Sequence, residues 1–139
     1  MELNASYDEL TSYLKERFGQ AVTFSCPEDG LLRVTYTKRI LIKDVNINIA
    51  IRFEEVKPDS VLLAYDGAMG LDMIISGALS FFTAHYPELS AGVHPQDNHR
   101  ILINLAEIEK AGPAVENIAL TDIIPATDSI KIEFSLKTP

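Results

Sequence analysis

Between Ile40 and Val56 apolar and polar residues alternate for longer than anywhere else in the chain. Leu41, Val45, Ile47, Ile49, Ile51 and Phe53 fall on one side of an extended backbone. Asp44, Asn46, Asn48, Arg52 and Glu54 fall on the other with Ala50 among them, and only Lys43 interrupts the apolar side. Side chains alternate across a strand, so this pattern predicts one dry face and one wet face in an antiparallel sheet. About fifteen residues at ~3.3 Å each would extend ~50 Å, against a usual ~20 Å. Such a strand must coil, bend or carry a bulge.

Helical periods flank it. Ser6-Tyr7-Asp8-Glu9 matches a capping box, in which Ser6 accepts from the Glu9 backbone N–H and Glu9 reaches back. Tyr7, Leu10, Tyr13, Leu14 and Phe18 then recur at helical spacing, and Gly19 is a natural left-handed stop. An N-terminal amphipathic helix follows from this. From Gly67 to Tyr86 the chain has no Lys, Arg or Glu, and its apolar residues cover almost the whole helical circumference. A helix of that kind is expected to be buried on most sides. It should end at Tyr86, because Pro87 disfavours helix in the residue before it.

The remaining strands are shorter. Val22–Cys26 and Leu32–Tyr36 predict a hairpin around Pro27-Glu28-Asp29-Gly30, with Thr37-Lys38-Arg39 leading into the long strand. Lys57-Pro58-Asp59-Ser60 is a turn before the strand Val61–Tyr65. Glu88–Asn98 holds Pro95 and a glycine, follows directly on Pro87 and reads as a loop, His99–Leu105 as a strand, and Ala106–Glu116 as a helical turn and loop broken at Gly112-Pro113. Two closing strands carry Ile118, Leu120 and Ile124, then Ile130, Ile132, Phe134 and Leu136, joined at Pro125-Ala126-Thr127-Asp128. The expected fold class is α+β: a long, strongly curved antiparallel sheet wrapped around one central apolar helix, with an N-terminal amphipathic helix.

Long strands, a central apolar helix and the closing order from Ile101 to Leu136 together resemble one half of a tubular lipid-binding domain, similar to bactericidal/permeability-increasing protein. The resemblance implies a curved sheet around a helix, with acyl chains held in the seam between them. This chain is short, has no disulfide and shows no export signal, so no residue is carried over as a ligand contact. Length arithmetic raises the same question. A helix of about seventeen residues covers ~26 Å, roughly half of a ~50 Å strand. The N-terminal helix at ~20 Å, a second subunit or an apolar ligand is needed to cover the rest. A closed core completed by the N-terminal helix is the simplest of the three.

With 139 residues the chain is expected to form a single domain, 1–139. A formal charge of -8 argues against nucleic acid, whose phosphates need clustered cations. One cysteine, Cys26, cannot form an internal disulfide and fits a reducing, cytoplasmic setting, as does Met1-Glu2-Leu3-Asn4, which lacks the basic and apolar regions of a signal peptide. The apolar segment is long enough to test as a membrane span, but Asp72, two glycines and two serines dilute it and no cations flank it, so a core helix rather than a transmembrane segment is expected.

Specific chemistry is sparse. His94-Pro95-Gln96-Asp97-Asn98-His99 brings two imidazoles and a carboxylate together, but structural zinc wants four ligands, and a polar loop contains such residues anyway. His94, Asp97 and His99 are nevertheless the best candidates for an enzyme, with no substrate attached to them. Asp72, Ser76, Ser80 and Thr83 form a polar stripe that either orients a headgroup or faces solvent. Gly70, Gly77 and Ala78 would admit a strand close to the helix, and Cys26 is expected to be a structural thiol. No metal or cofactor is expected.

Two functions follow. One is non-enzymatic binding of an apolar or amphiphilic, lipid-like ligand between helix and sheet, with Ile47, Ile49, Ile51, Phe53, Asp72, Ile75, Ser76, Leu79 and Phe82 as its lining. The other is a protein–protein interaction module, a homo-oligomer or a subunit of a larger assembly, that uses the surplus apolar sheet face or a strand edge.

Overall fold

Ser6 and Gly19 bound the first helix as their chemistry requires. In the computed structural model, which describes residues 1–67, 70–108 and 117–137, α1 spans Tyr7–Phe18. The Ser6 hydroxyl accepts from the Glu9 N–H at 3.1 Å and donates to the Glu9 carboxylate at 2.9 Å. Gly19 takes φ 67, and Gly19 and Gln20 cap the last carbonyls. A strand not expected from the sequence, β1 (Glu2–Ser6), precedes it. Then come β2 (Val22–Glu28), β3 (Leu31–Ile40), β4 (Lys43–Lys57), β5 (Ser60–Gly67), α2 (Leu71–His85), α3 (Pro87–Ser90), β6 (Val93–Gln96), β7 (Arg100–Asn104), a short 3-10 turn (Leu105–Glu107), β8 (Ile118–Pro125) and β9 (Ser129–Leu136). The fold is α+β. The turn and loop expected at 109–116 lie outside the described residues.

Among the described residues the strands form two sheets, both antiparallel. Six run in the order β2-β3-β4-β5-β7-β6 and three in the order β1-β9-β8. The alternation in β4 sorts its side chains as expected. On the wet face Thr35 and Thr37 donate to Asn48 and Asn46 at 2.8 and 2.9 Å, and Arg52 pairs with Glu28 at 2.9 Å. On the dry face Leu32, Val34 and Tyr36 stand opposite Ile51, Ile49 and Ile47. The length of β4 is accommodated by a register shift between Phe53 and Glu55. Pro95 lacks an N–H, which suits β6 to its place at the sheet edge.

Two expectations for this region need correction. Thr37–Arg39 is not a connection but continues β3, so the turn falls at Leu41-Ile42. Leu41 therefore does not join the apolar face of β4. It sits in the turn at φ 58 with 92 % of its surface exposed, and Ile42 at 89 %. A non-glycine residue in the left-handed region costs roughly 1–2 kcal/mol, and because Leu41 and Ile42 are not turn-forming residues no signal marks the position in the sequence.

Both helices lie on the dry face. Tyr7 stacks on Phe24 with ring centroids 6.1 Å apart, placing α1 over β2 and β3. The Tyr7 hydroxyl donates to the Ala126 carbonyl at 2.5 Å and its N–H to Asp128 at 3.0 Å, tying the helix to the three-stranded sheet. Leu120 N–H to Pro58 at 2.9 Å is a second tie between the sheets. The two helices meet at their C-terminal ends, where the Phe18 ring lies 4.9 Å from Tyr86 and 6.5 Å from Phe82.

The closed core expected from a roofing N-terminal helix is not formed. Among the described residues Tyr7, Leu32, Val61, Leu71 and Pro125 are the buried apolar side chains, and no side chain is fully buried. The chain exposes 9041 Å², against roughly 7,200 Å² for a monomer of its mass. Only Leu71 of α2 is buried, so the expectation that this helix is covered on most sides does not hold within one chain. Its apolar content says how much surface wants covering, not which molecule covers it.

Candidate functional site

The circumference of α2 explains its exposure. At 100° per residue, Leu71, Ile75, Leu79 and Phe82 share one face, and these are the buried or half-buried positions. Asp72, Ser76, Ser80 and Thr83 make the polar stripe beside it, and all four are exposed. A second apolar stripe, Met73, Gly77, Phe81 and Ala84 with Ile74 and Ala78 at its border, occupies the remaining side, also in the open. Met73 is 82 % exposed and Phe81 48 %. The His85 ring stacks on Phe81 at 4.1 Å, and its Nδ1 lies 2.9 Å from the Phe81 carbonyl oxygen, which holds that aromatic in place.

Gly77, expected to admit a strand, has nothing within 4 Å of where a Cβ would stand, and neither has Gly70. The close approach is made one turn earlier. A Cβ on Gly67 would meet the Leu71 side chain at 2.6 Å and the Asn48 carbonyl oxygen at 2.9 Å. Gly70 takes φ 88 and starts α2 without a side-chain cap.

Beside this start lies a groove of about 450 Å³. Its apolar lining comes from Val45, Ile47 and Ile49 of β4 with Leu71 and Ile74 of α2, and its polar lining from Arg33, Asn46, Asn48 and Asp66. It forms where β5 leaves β4: Gly67 stands opposite Ile49, and among the described residues Lys43–Asn48 pairs with β3 alone. Of the residues proposed as a ligand lining, the groove brings together Ile47 and Ile49. Ile51 and Phe53 are half-buried farther along β4, Ile75, Leu79 and Phe82 are half-buried on the sheet-facing side of α2, and Ser76 faces outward. Leu71 and Ile74, missed in the sequence, are the helix residues that reach the groove.

Asp72 belongs elsewhere, in a polar cluster. It accepts from the Tyr65 hydroxyl at 3.4 Å, and its other oxygen lies 3.1 Å from His99 Nε2. The Tyr65 and His99 rings stack at 5.3 Å, and the Tyr65 N–H donates to the His99 carbonyl at 2.9 Å. Asn98 and His99 both adopt left-handed φ, 61 and 58, in the turn that brings His99 there. Burial first, and the Asp72 charge second, raise the Tyr65 pKa above its ordinary value. His94 turns away and meets Glu107 at 2.8 Å. The two histidines of the sequence motif thus serve different carboxylates, and among the described residues no three His, Cys, Asp or Glu side chains cluster to hold a metal ion.

Among the described residues no helix is long and apolar enough to cross a membrane. Cys26 is half-buried, its thiol donating to the Glu28 carbonyl at 3.1 Å. Compared with known proteins, the chain matches no family model, no curated protein and no solved structure.

Proposed function

We propose that this chain is a protein-interaction module that pairs with a second copy of itself through the outer apolar stripe of α2. The observation that carries the reading is that stripe: Met73 and Phe81 stand in solvent on a helix whose other apolar face, Leu71, Ile75, Leu79 and Phe82, is buried or half-buried. The chain as a whole exposes roughly 1,800 Å² more than a monomer of its mass should, which supports a need for further covering without locating it on one face. Gly77 lies midway between Met73 and Phe81, so two antiparallel copies related by a two-fold axis at Gly77 would set Phe81 of each against Met73 of the other, with the open backbone of the two glycines at the crossing. No like charges oppose one another there. In such a pair α2 is enclosed between its own sheet and its twin, which supplies the wrapping of a central apolar helix that one chain lacks.

Sedimentation equilibrium over micromolar to millimolar concentration tests it. Twice the chain mass is expected; a monomer at millimolar concentration removes the proposal.

A second reading is favoured by the groove. Its volume lies in the range of small-molecule sites, and an amphiphile could lay its chain along Ile47, Ile49, Leu71 and Ile74 with its polar end towards Arg33. The resemblance to tubular lipid-binding domains points the same way. Such a ligand would leave Met73 and Phe81 bare, so it ranks second. Native mass spectrometry of the purified protein should then retain a lipid-sized adduct, and a bare chain mass would end this reading.

A further inference from the structure

The ribbon of β3 and β4 outruns its neighbours. β2 pairs with β3 as far as Tyr36, the Thr37 N–H still donates to the Ala21 carbonyl at 2.9 Å, and β5 pairs with β4 only from Ile49, so among the described residues Lys38–Ile40 and Lys43–Val45 project as two strands alone. Three residue pairs make an arm of roughly 10 Å. At its end two large aliphatic side chains, Leu41 and Ile42, are almost wholly exposed, in a turn where glycine or asparagine would fit the backbone better.

The charge of the arm inverts that of the molecule. The chain carries -8 overall, yet Lys38, Arg39 and Lys43 crowd within two or three residues of the tip, offset by Asp44 alone. Elsewhere Arg52, Arg100 and Lys131 are engaged by Glu28, Glu54 and Glu2. Among the described residues the three arm cations make no ion pair. Apolar residues therefore come first and cations just behind them, the same order in which an anionic bilayer offers hydrocarbon beneath phosphate.

We propose that the Leu41-Ile42 tip is a membrane-docking element for anionic lipid bilayers. Leu41 and Ile42 enter the boundary between headgroups and acyl chains, while Lys38, Arg39 and Lys43 meet lipid phosphates and carboxylates. The acidic remainder is repelled by the same surface, so the molecule stands on its arm. This docking is independent of self-association through α2, which lies on a different element.

The test is co-sedimentation with vesicles of phosphatidylcholine containing about one-third phosphatidylserine, beside vesicles of phosphatidylcholine alone. The protein should pellet with the anionic vesicles only, and less as salt rises from about 0.1 M to about 0.5 M, because salt screens the cations. The double variant L41S/I42S should bind about tenfold more weakly or worse. Each of K38Q, R39Q and K43Q should weaken binding about fivefold. The chain has no tryptophan, so Ile42→Trp adds a lone reporter whose emission should shift to the blue with anionic vesicles. All these side chains belong to the projecting arm, and unchanged circular dichroism will establish that the variants fold. Equal partition onto both vesicle types, or an L41S/I42S variant that binds like the parent, overturns the proposal. No pelleting with either vesicle also overturns it, and would leave the tip to an acidic protein surface.

Discussion

The two long helices of this molecule are opposites. α1 carries its own punctuation, a serine that caps its start and a left-handed glycine that ends it, and it has a single apolar side, with Tyr7 buried, Leu10, Leu14 and Phe18 half-buried and Tyr13 exposed at its border. α2 begins at a glycine with no side chain to cap it, and it has two apolar sides separated by a thin polar stripe. One sheet satisfies only one of those sides. A helix like α1 is specified by its own residues and a single neighbour, whereas a helix like α2 becomes complete only when something else arrives.

Substitutions can break this contrast, and the largest effect should come from α2. Phe81→Ser should weaken self-association by about 2 kcal/mol or more, roughly a thirtyfold rise in dimer Kd, as for a central aromatic anchor. Tyr13→Ser, at an aromatic comparably exposed on α1, should change neither association nor stability by more than about 0.5 kcal/mol. Analytical ultracentrifugation and urea melts of both variants give the comparison directly. Equal effects at the two positions would erase it.

Next in size is Tyr7, the residue through which α1 holds both sheets. Tyr7→Phe removes the hydrogen bond to Ala126 and should cost about 1 kcal/mol in urea unfolding at neutral pH. The substitution should also change the alkaline limb. Burial raises the pKa of Tyr7 above the ordinary 10.0, so its contribution is whole below pH 10 and is lost as pH rises through the folded-state value. The phenylalanine variant should lose correspondingly less stability above pH 10.

Ser6→Ala should cost about 1 kcal/mol by removing the cap of α1. The start of α2 responds to a different change: Gly70→Ala leaves the helix residues untouched but forces a side chain into φ 88, at a similar cost of about 1 kcal/mol. The smallest effect lies outside the helices. Glu54 is held by Arg100, whose hydrogen bond lowers its pKa below 4.5. Glu54→Gln should therefore give a slight loss near neutral pH that disappears in acid, once the native carboxylate is itself protonated. A pH series of thermal melts will resolve the window.

How far these features could be read in advance depended on whether their causes were local. The ends of α1 were legible because Ser6, Glu9 and Gly19 act within a few residues of one another. The two faces of β4 were legible because strict alternation permits only one assignment, and length required a coil, a bend or a bulge, of which a register shift at Phe53–Glu55 is present. The turn at Leu41-Ile42 was not, because its residues oppose the backbone shape they adopt. β1 alternates only through Leu3 and Ala5, too short a run to stand out, and Pro95 in β6 reads as a loop signal until the edge position explains it. Asp72, Tyr65 and His99 meet only through the packing of α2 against β5 and the turn before β7. The groove hides for the same reason, since Leu71 and Ile74 reach it only from where Gly67 places the helix.

Cys26 stands where β2 bulges, with its sulfur 3.7 Å from the Pro125 carbonyl oxygen of the other sheet. That position turns the lone thiol into a built-in gauge of how often the two layers part. Its rate of labelling by a maleimide, followed against denaturant, would report a local opening at this seam separately from complete unfolding. A fluorophore placed there would need no engineered attachment point.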